Sequence, residues 1–144
     1  MQDLYFAYGS NMSSARLAAR LGEVRPLGRA ALDHFELAWN KPGLDGSGKA
    51  NVRRRVGAAT WGVVYAVAPA DWPLLDSFES GYARETHPVR DDAGRERSVQ
   101  LYRWRRDTPD HTPSAEYLEL VLAGAREHQL PAAVIQELAT SHVF

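Results

Sequence analysis

The chain contains no cysteine. That excludes disulfides within it, thiolate nucleophiles and cysteine-ligated metals together. Its five histidines, His34, His87, His111, His128 and His142, include no pair at the His-x-x-x-His spacing of a helical zinc site, so no metal is expected. No Gly-x-Ser-x-Gly elbow, Walker loop or dinucleotide fingerprint is present, which leaves a serine hydrolase or a nucleotide cofactor without support. No apolar run approaches the length of a membrane span. The first residues lack the basic segment and apolar run of a signal peptide. The expectation is a cytoplasmic protein with no membrane partner.

Charge of neither sign dominates. Seventeen Lys and Arg against eighteen Asp and Glu give a formal net charge of −1, so nothing in the balance calls for nucleic acid. Arg53-Arg54-Arg55 and Arg103-Trp104-Arg105-Arg106 are the two basic clusters. The second interleaves an aromatic, as a single-strand binder does. With acidic residues to offset them, both read as solvated or ion-paired surface. The sequence does not choose between a monomer and a homodimer.

What is present is enough for one folded domain over residues 1–144. The chain is long enough for a proper core, and 44% of it is hydrophobic. Its organising stretch runs from Leu4 to Met12. Leu4, Phe6 and Tyr8 alternate with Tyr5 and Ala7, the pattern of a buried strand. Gly9-Ser10-Asn11 then suits a tight turn. Ser13 to Leu21 reads as a short helix with Ala15, Ala18 and Leu21 on one side, capped by Ser10, Asn11 or Ser13 and stopped by Gly22. A strand, a small-residue turn and a helix start form an anion site, because backbone N–H groups and the helix dipole meet there. The same residues also read as a turn plus a cap and nothing more.

Further along, Arg29 to Asn40 reads as a strand. Lys41 to Lys49, with three glycines and a proline, reads as a mobile loop. A short strand at Ala50–Val52 and a central strand from Ala58 to Val67 follow. On the latter, Gly62 and its small neighbours leave room for another backbone or a ligand. Pro69 to Phe78 reads as a helix whose apolar side is Leu74, Leu75 and Phe78. Strands are expected at Tyr82–Arg90 and Arg97–Arg105, joined by the turn Asp91-Asp92-Ala93-Gly94. Two helices follow, one capped by Ser114 with Tyr117, Leu120, Val121, Gly124 and Ala125 as its stripe, the other starting at Pro131. Strands linked mostly by hairpins, with helices gathered late, predict an α+β fold built on a curved or closed antiparallel-rich sheet.

Glu79 stands out among the carboxylates. It ends a helix beside Leu75 and Phe78, where burial and the helix C-terminus both raise a carboxyl pKa. Such a group serves as a general base near neutral pH. The alternative is a surface glutamate that closes a helix.

Several of these segments carry a resemblance. Tyr5-Phe6-Ala7-Tyr8-Gly9-Ser10-Asn11-Met12 resembles the opening motif of the γ-glutamylcyclotransferase family, within the AIG2-like superfamily. Trp61-Gly62-Val63-Val64-Tyr65 resembles its central strand, and Leu75-Asp76-Ser77-Phe78-Glu79 its catalytic-glutamate segment. Pro113 to Tyr117, Gly124 to Glu127 and Leu130-Pro131 resemble its C-terminal helical signature. The blocks occur in the family's order across nearly the whole chain. The resemblance implies a small mixed β-barrel with flanking helices, no cofactor, and a γ-glutamyl small-molecule substrate cyclised to 5-oxoproline with release of its amine. It implies Glu79 as the proton-transferring residue. It also implies a substrate pocket lined by Tyr5, Phe6, Ala7, Tyr8, Gly9, Ser10 and Asn11, with Tyr102 and Tyr117. The short Glu79–Tyr82 segment departs from vertebrate members and leaves the released amine open. A binding module that keeps the anion pocket without turnover is the other reading.

Overall fold

The computed structural model describes residues 3–143. Five strands close into a barrel in the order β1–β3–β2–β4–β5: β1 (Asp3–Ala7), β2 (Arg25–Pro42), β3 (Gly48–Val67), β4 (Ala83–Asp91) and β5 (Glu96–Arg103). Neighbours run antiparallel except β1 and β5, which close the barrel in parallel with Tyr5 opposite Gln100. Four helices flank it: α1 (Ser14–Leu21), α2 (Trp72–Phe78), α3 (Ala115–Glu127) and α4 (Ala132–Ala139). This is the mixed, antiparallel-rich α+β barrel the sequence predicts. No helix among the described residues is long and apolar enough to cross a membrane.

The alternation on each strand sorts side chains into two cores. Phe6, Tyr8, Leu32, Phe35, Val64, Val89, Val99 and Leu101 come from all five strands and fill the barrel. Tyr5, Ala7, Val63, Tyr65, Val67 and Tyr102 point the other way, onto Met12, Leu17, Trp72, Leu75 and the C-terminal helices. Phe6, Leu32 and Tyr65 are fully or almost fully removed from water, and side chains of this size contribute about 1.5–3 kcal/mol each on burial. At Gly62 the barrel core would fail with any side chain. A Cβ there would lie 2.4 Å from the Ala7 carbonyl oxygen. The room on that face therefore admits a neighbouring backbone.

The β2–β3 hairpin differs most from the sequence reading. The ladder persists to Lys41 opposite Lys49 and Pro42 opposite Gly48, so the connection is only residues 43–47. Hydrogen bonds from Gly43 N–H to Ser47 O (2.8 Å) and from Ser47 N–H to Asp45 Oδ1 (3.0 Å) close it as a tight turn. β3 is also one strand, not two. The arginine triplet broke the apolar alternation, yet it sits on the barrel's outside where the hairpin bends: Asp33 faces Ala59, then Phe35 faces Arg54. There Arg53 pairs with Glu36 and Asp110, and Arg55 with Glu36. Arg103 and Arg105 pair with Glu85. Burial opposes ionisation of Glu85, but hydrogen bonds from Arg103, His87 and Arg105 outweigh it and hold its carboxyl down at about 2.

Helix faces needed rotation in three places. On α1 the buried residue is Leu17, while Ala15 is exposed. On α2 it is Trp72 with Leu75, while Leu74 and Phe78 face outward. On α3 Leu118 and Leu122 join Val121, Gly124 and Ala125 inside, and Tyr117 turns toward β3. α3 docks on the short 3₁₀ turn at Ser10–Met12 through Gly124, where a Cβ would meet Ser13 N at 2.5 Å and Met12 C at 2.6 Å. Both contacts are backbone, so neither can swing aside. Gly124→Ala is expected to destabilise the fold by about 1–3 kcal/mol, the usual cost of overpacking. Urea unfolding of the two proteins checks this; an unchanged midpoint would show that α3 can shift freely.

Candidate active site

β1 ends at Ala7, and the chain turns immediately through Gly9 into the 3₁₀ turn, with Met12 N–H donating to Gly9 O at 3.1 Å. That turn forms one wall of a cavity of about 360 Å³. The end of α2 brings Glu79 and Ser80 to it, α1 brings Arg16 and Arg20, the β2–β3 hairpin brings Lys41, Gly43, Leu44, Lys49 and Ala50, and α3 brings Tyr117. Of the residues expected at a pocket, Tyr5, Tyr8, Gly9, Ser10, Asn11, Glu79, Tyr102 and Tyr117 all line it. Phe6 and Ala7 do not. Phe6 is in the barrel core and Ala7 in the helix-facing core, because strand alternation commits both to packing.

Glu79 is the one carboxylate in this lining. Its side chain is 15% exposed, and Arg20 Nη1 stands 3.8 Å from Oε1. Asn11 Nδ2 donates to Glu79 Oε1 at 2.9 Å and to the Tyr5 hydroxyl at 3.1 Å. One side chain from the turn thus fixes both the carboxylate and a tyrosine across the cavity. Burial pushes the Glu79 carboxyl up from its ordinary value, against the opposing pull of Arg20, Arg16, Lys41 and the Asn11 hydrogen bond. The helix-end glutamate is therefore a largely buried cavity residue and not a surface terminus.

The tyrosines divide by what their hydroxyls do. Tyr8 donates to the Tyr102 carbonyl, Tyr82 to the Ala50 carbonyl at 2.7 Å, and Tyr102 to Asp76 Oδ1 at 2.6 Å. These three tie walls together. Tyr5 and Tyr117 accept instead, from Asn11 Nδ2 and from Ala50 N–H at 3.2 Å. Among the described residues the Tyr5 hydroxyl hydrogen has no acceptor and is free to donate into the cavity, while the Tyr117 hydroxyl also shares a hydrogen bond with the Ser10 side chain. Burial raises the pKa of both well above or above the phenol's ordinary value, keeping them protonated. Asn11 Oδ1 is likewise buried with no partner among the described residues.

The positive potential comes from a source the sequence reading missed. The N-terminus of α1 is already occupied: Ser14 N–H donates to Glu127 Oε1 and Arg16 N–H to the Ser13 hydroxyl. It therefore offers the cavity little. Arg16, Arg20, Lys41 and Lys49 supply the charge by side chain. Arg16 Nε donates to the Ser10 hydroxyl at 3.0 Å, and Arg20 lies over the Phe78 ring at 4.8 Å. The arginines' i, i+4 spacing places them on one face of α1, which was the available signal. The lysines flanked a segment read as loop, so no signal pointed to the cavity. Tyr82, expected only as the start of a strand, was also missed. Among the described residues no three His, Cys, Asp or Glu side chains converge as a metal site.

Comparison with known proteins places this geometry. The sequence model of the AIG2-like family matches residues 59–138, a span that contains Glu79, Tyr82, Tyr102 and Tyr117. The γ-glutamylcyclotransferase of Bos taurus is 30% identical over 137 residues, covering 89% of this chain and 72% of its own. That of Homo sapiens is 29% identical over 144 residues, covering 94% and 76%. A solved structure named gamma-glutamyl cyclotransferase superposes with a TM-score of 0.93 at 25% identity, covering 100% of this chain and 90% of that one. The barrel with its flanking helices agrees with these matches, and the chain belongs to the γ-glutamylcyclotransferase/AIG2-like family.

Proposed function

We propose that this protein cyclises a γ-glutamyl compound to 5-oxoproline and releases its amine. The observation that carries the reading is Glu79: a largely buried carboxylate with a raised pKa, held by Asn11 inside a cavity whose other charged groups are all cations. The substrate brings an α-carboxylate, an α-ammonium and a γ-amide. Arg16, Arg20 and the Gly9-Ser10-Asn11 turn border one end of the cavity and suit the α-carboxylate. The α-ammonium then lies toward Glu79 and the unpaired Asn11 Oδ1.

Glu79 takes a proton from the α-ammonium. The freed amine attacks the γ-carbonyl carbon, forming the ring C–N bond. Negative charge grows on the carbonyl oxygen, where the hydroxyls of Tyr5 and Tyr117 can donate. The amide C–N bond breaks as the proton on Glu79 passes to the departing nitrogen, and the ring nitrogen gives up its second proton, which leaves with the released amine as its ammonium form. The nucleophile belongs to the substrate, in keeping with a chain that has no cysteine. Holding the glutamyl chain folded is the main entropic task, and good orientation contributes about 7–11 kcal/mol in such ring closures.

Glu79→Gln keeps the hydrogen bond to Asn11 and removes the base. Turnover is expected to fall at least about 100-fold, measured as 5-oxoproline released from a panel of γ-glutamyl compounds. A folded variant with near-normal turnover would take Glu79 out of the base role; no release by the unaltered protein from any compound would favour the binding module. Tyr117→Phe retains the ring's edge contact with Trp39 and is expected to lower kcat about ten- to hundredfold, as loss of an oxyanion donor does. Unchanged kcat would leave Tyr117 a packing residue.

The raised Glu79 pKa has two consequences for pH. kcat/KM should climb as pH rises through that pKa, above the ordinary carboxylate value of about 4.3. For stability the sign is opposite. Between the ordinary and raised values the folded state holds the extra proton, so rising pH through that window lowers stability. Glu79→Gln should therefore be at least as stable as the unaltered protein at pH 7, and the advantage should vanish below the ordinary value. Thermal melts at pH 4 and pH 7 test this; a variant destabilised only at pH 7 would contradict the raised pKa.

A further inference from the structure

The cavity carries more positive charge than the proposed reaction uses. Four guanidinium or ammonium groups against one carboxylate leave three positive charges in excess. A γ-glutamyl unit, with its α-ammonium and α-carboxylate, is neutral overall and cannot offset that excess. Two of the cations, Arg16 and Arg20, flank the turn and Glu79. The other two, Lys41 and Lys49, stand apart on the β2–β3 hairpin.

Lys41 and Lys49 are direct cross-strand partners in the ladder. Directly opposed residues point to the same side with Cβ atoms about 4.5–5.5 Å apart, and like charges so placed oppose folding. Among the described residues no carboxylate lies within ion-pair distance of either. Aromatic faces hold them instead. Lys41 Nζ lies 5.4 Å from both the Tyr82 and Trp104 ring centroids, and Lys49 Nζ lies 4.4 Å from that of Tyr117. Glycines leave space for their stems: a Cβ at Gly81 would come within 3.2 Å of Lys41 Cε, and one at Gly43 within 3.0 Å of Lys49 Cε. The repulsion is thus built into ordered structure at the cavity wall, and an anion between the two ammonium groups would relieve it.

We propose that Lys41 and Lys49 form the subsite for the departing amine, and that this amine is a dicarboxylic amino acid, one carboxylate for each lysine. The inference rests on the cyclisation reading. It makes the hairpin lysines the specificity determinants and leaves Arg16 and Arg20 to the γ-glutamyl unit. A leaving group with an acidic side chain offsets two of the three excess charges; a neutral amino acid offsets one, and a simple amine none.

The test compares γ-glutamyl-glutamate with γ-glutamyl-glutamine, which differ by one charge at nearly the same shape. kcat/KM for 5-oxoproline release should be about tenfold or more higher for the glutamate compound, the scale of one charge-assisted contact. In the double variant Lys41→Gln, Lys49→Gln the ratio should fall to near one. These substitutions remove a like-charge contact, so loss of fold is not expected to obscure the result. Equal rates in the unaltered protein, or a preference that survives the double variant, would overturn the subsite while leaving cyclisation intact. If neither compound is turned over while another γ-glutamyl compound is, the subsite is overturned; if no γ-glutamyl compound is turned over, cyclisation falls, and calorimetric titration of both into Glu79→Gln decides the subsite. Tighter binding of the glutamate compound that depends on the lysines supports it; equal affinity overturns it.

Discussion

The hydrogen bond from Asn11 Nδ2 to Glu79 Oε1 joins the two halves of the chain that matter. Asn11 stands one turn beyond β1, and Glu79 stands one residue beyond α2. Neither segment is held in place by the other locally. β1 is fixed by its ladder to β3 and its closure onto β5. α2 is fixed by Trp72 and Leu75, buried against the barrel's outer side. A buried carboxylate is tolerated only where hydrogen bonds and nearby cations offset its desolvation. The barrel must therefore be closed, and α2 docked, before Glu79 can be both buried and ionised. Closure of the sheet is in this sense the precondition of the site's chemistry.

The same dependence explains which parts could be read from the residues alone. β1 was legible because two-residue alternation survives in one short stretch, and the turn because Gly9-Ser10-Asn11 has few other uses. Glu79 was legible because an acidic residue next to Leu75 and Phe78 is unusual company. The neighbours were right in kind and wrong in detail. Phe78 faces outward under Arg20 and does not pack inside; Trp72 and Leu75 bury the helix. Phe6 and Ala7 show the converse. They lie inside the motif that carries the family resemblance, yet alternation turns their side chains into the two cores. A motif mixes residues that touch the cavity with residues that hold the backbone there, and only the pleat separates them.

The cations were illegible for a different reason. Arg16 and Arg20 share a helix face, but nothing local says that the face looks into a cavity. Lys41 and Lys49 border a run rich in glycine and proline, which local rules read as loop. Only the long ladder of β2 with β3 carries pairing out to them. Meanwhile Arg53, Arg55, Arg103 and Arg105 of the conspicuous basic clusters proved to be ion-paired with Glu36, Asp110 and Glu85. Local charge density was thus a poor guide. What distinguishes the cavity cations is that no carboxylate lies within ion-pair distance of three of them, Arg16, Lys41 and Lys49, among the described residues.

That contrast has a physical meaning. On the outside of the barrel each arginine cluster is matched by an acid, as expected where charges serve solubility and cost little. At the cavity the matching stops. Unpaired like charges brought together on ordered elements reduce stability, and proteins retain such local conflict chiefly where a ligand or a reaction resolves it. Glu79 alone cannot do so. It is already engaged with Asn11 and Arg20, and burial draws it toward its neutral form. The deficit of negative charge therefore persists in the folded protein and points to an anionic occupant, with the lysine pair on a different element from the turn at Gly9–Asn11 and so able to discriminate between substrates independently of it.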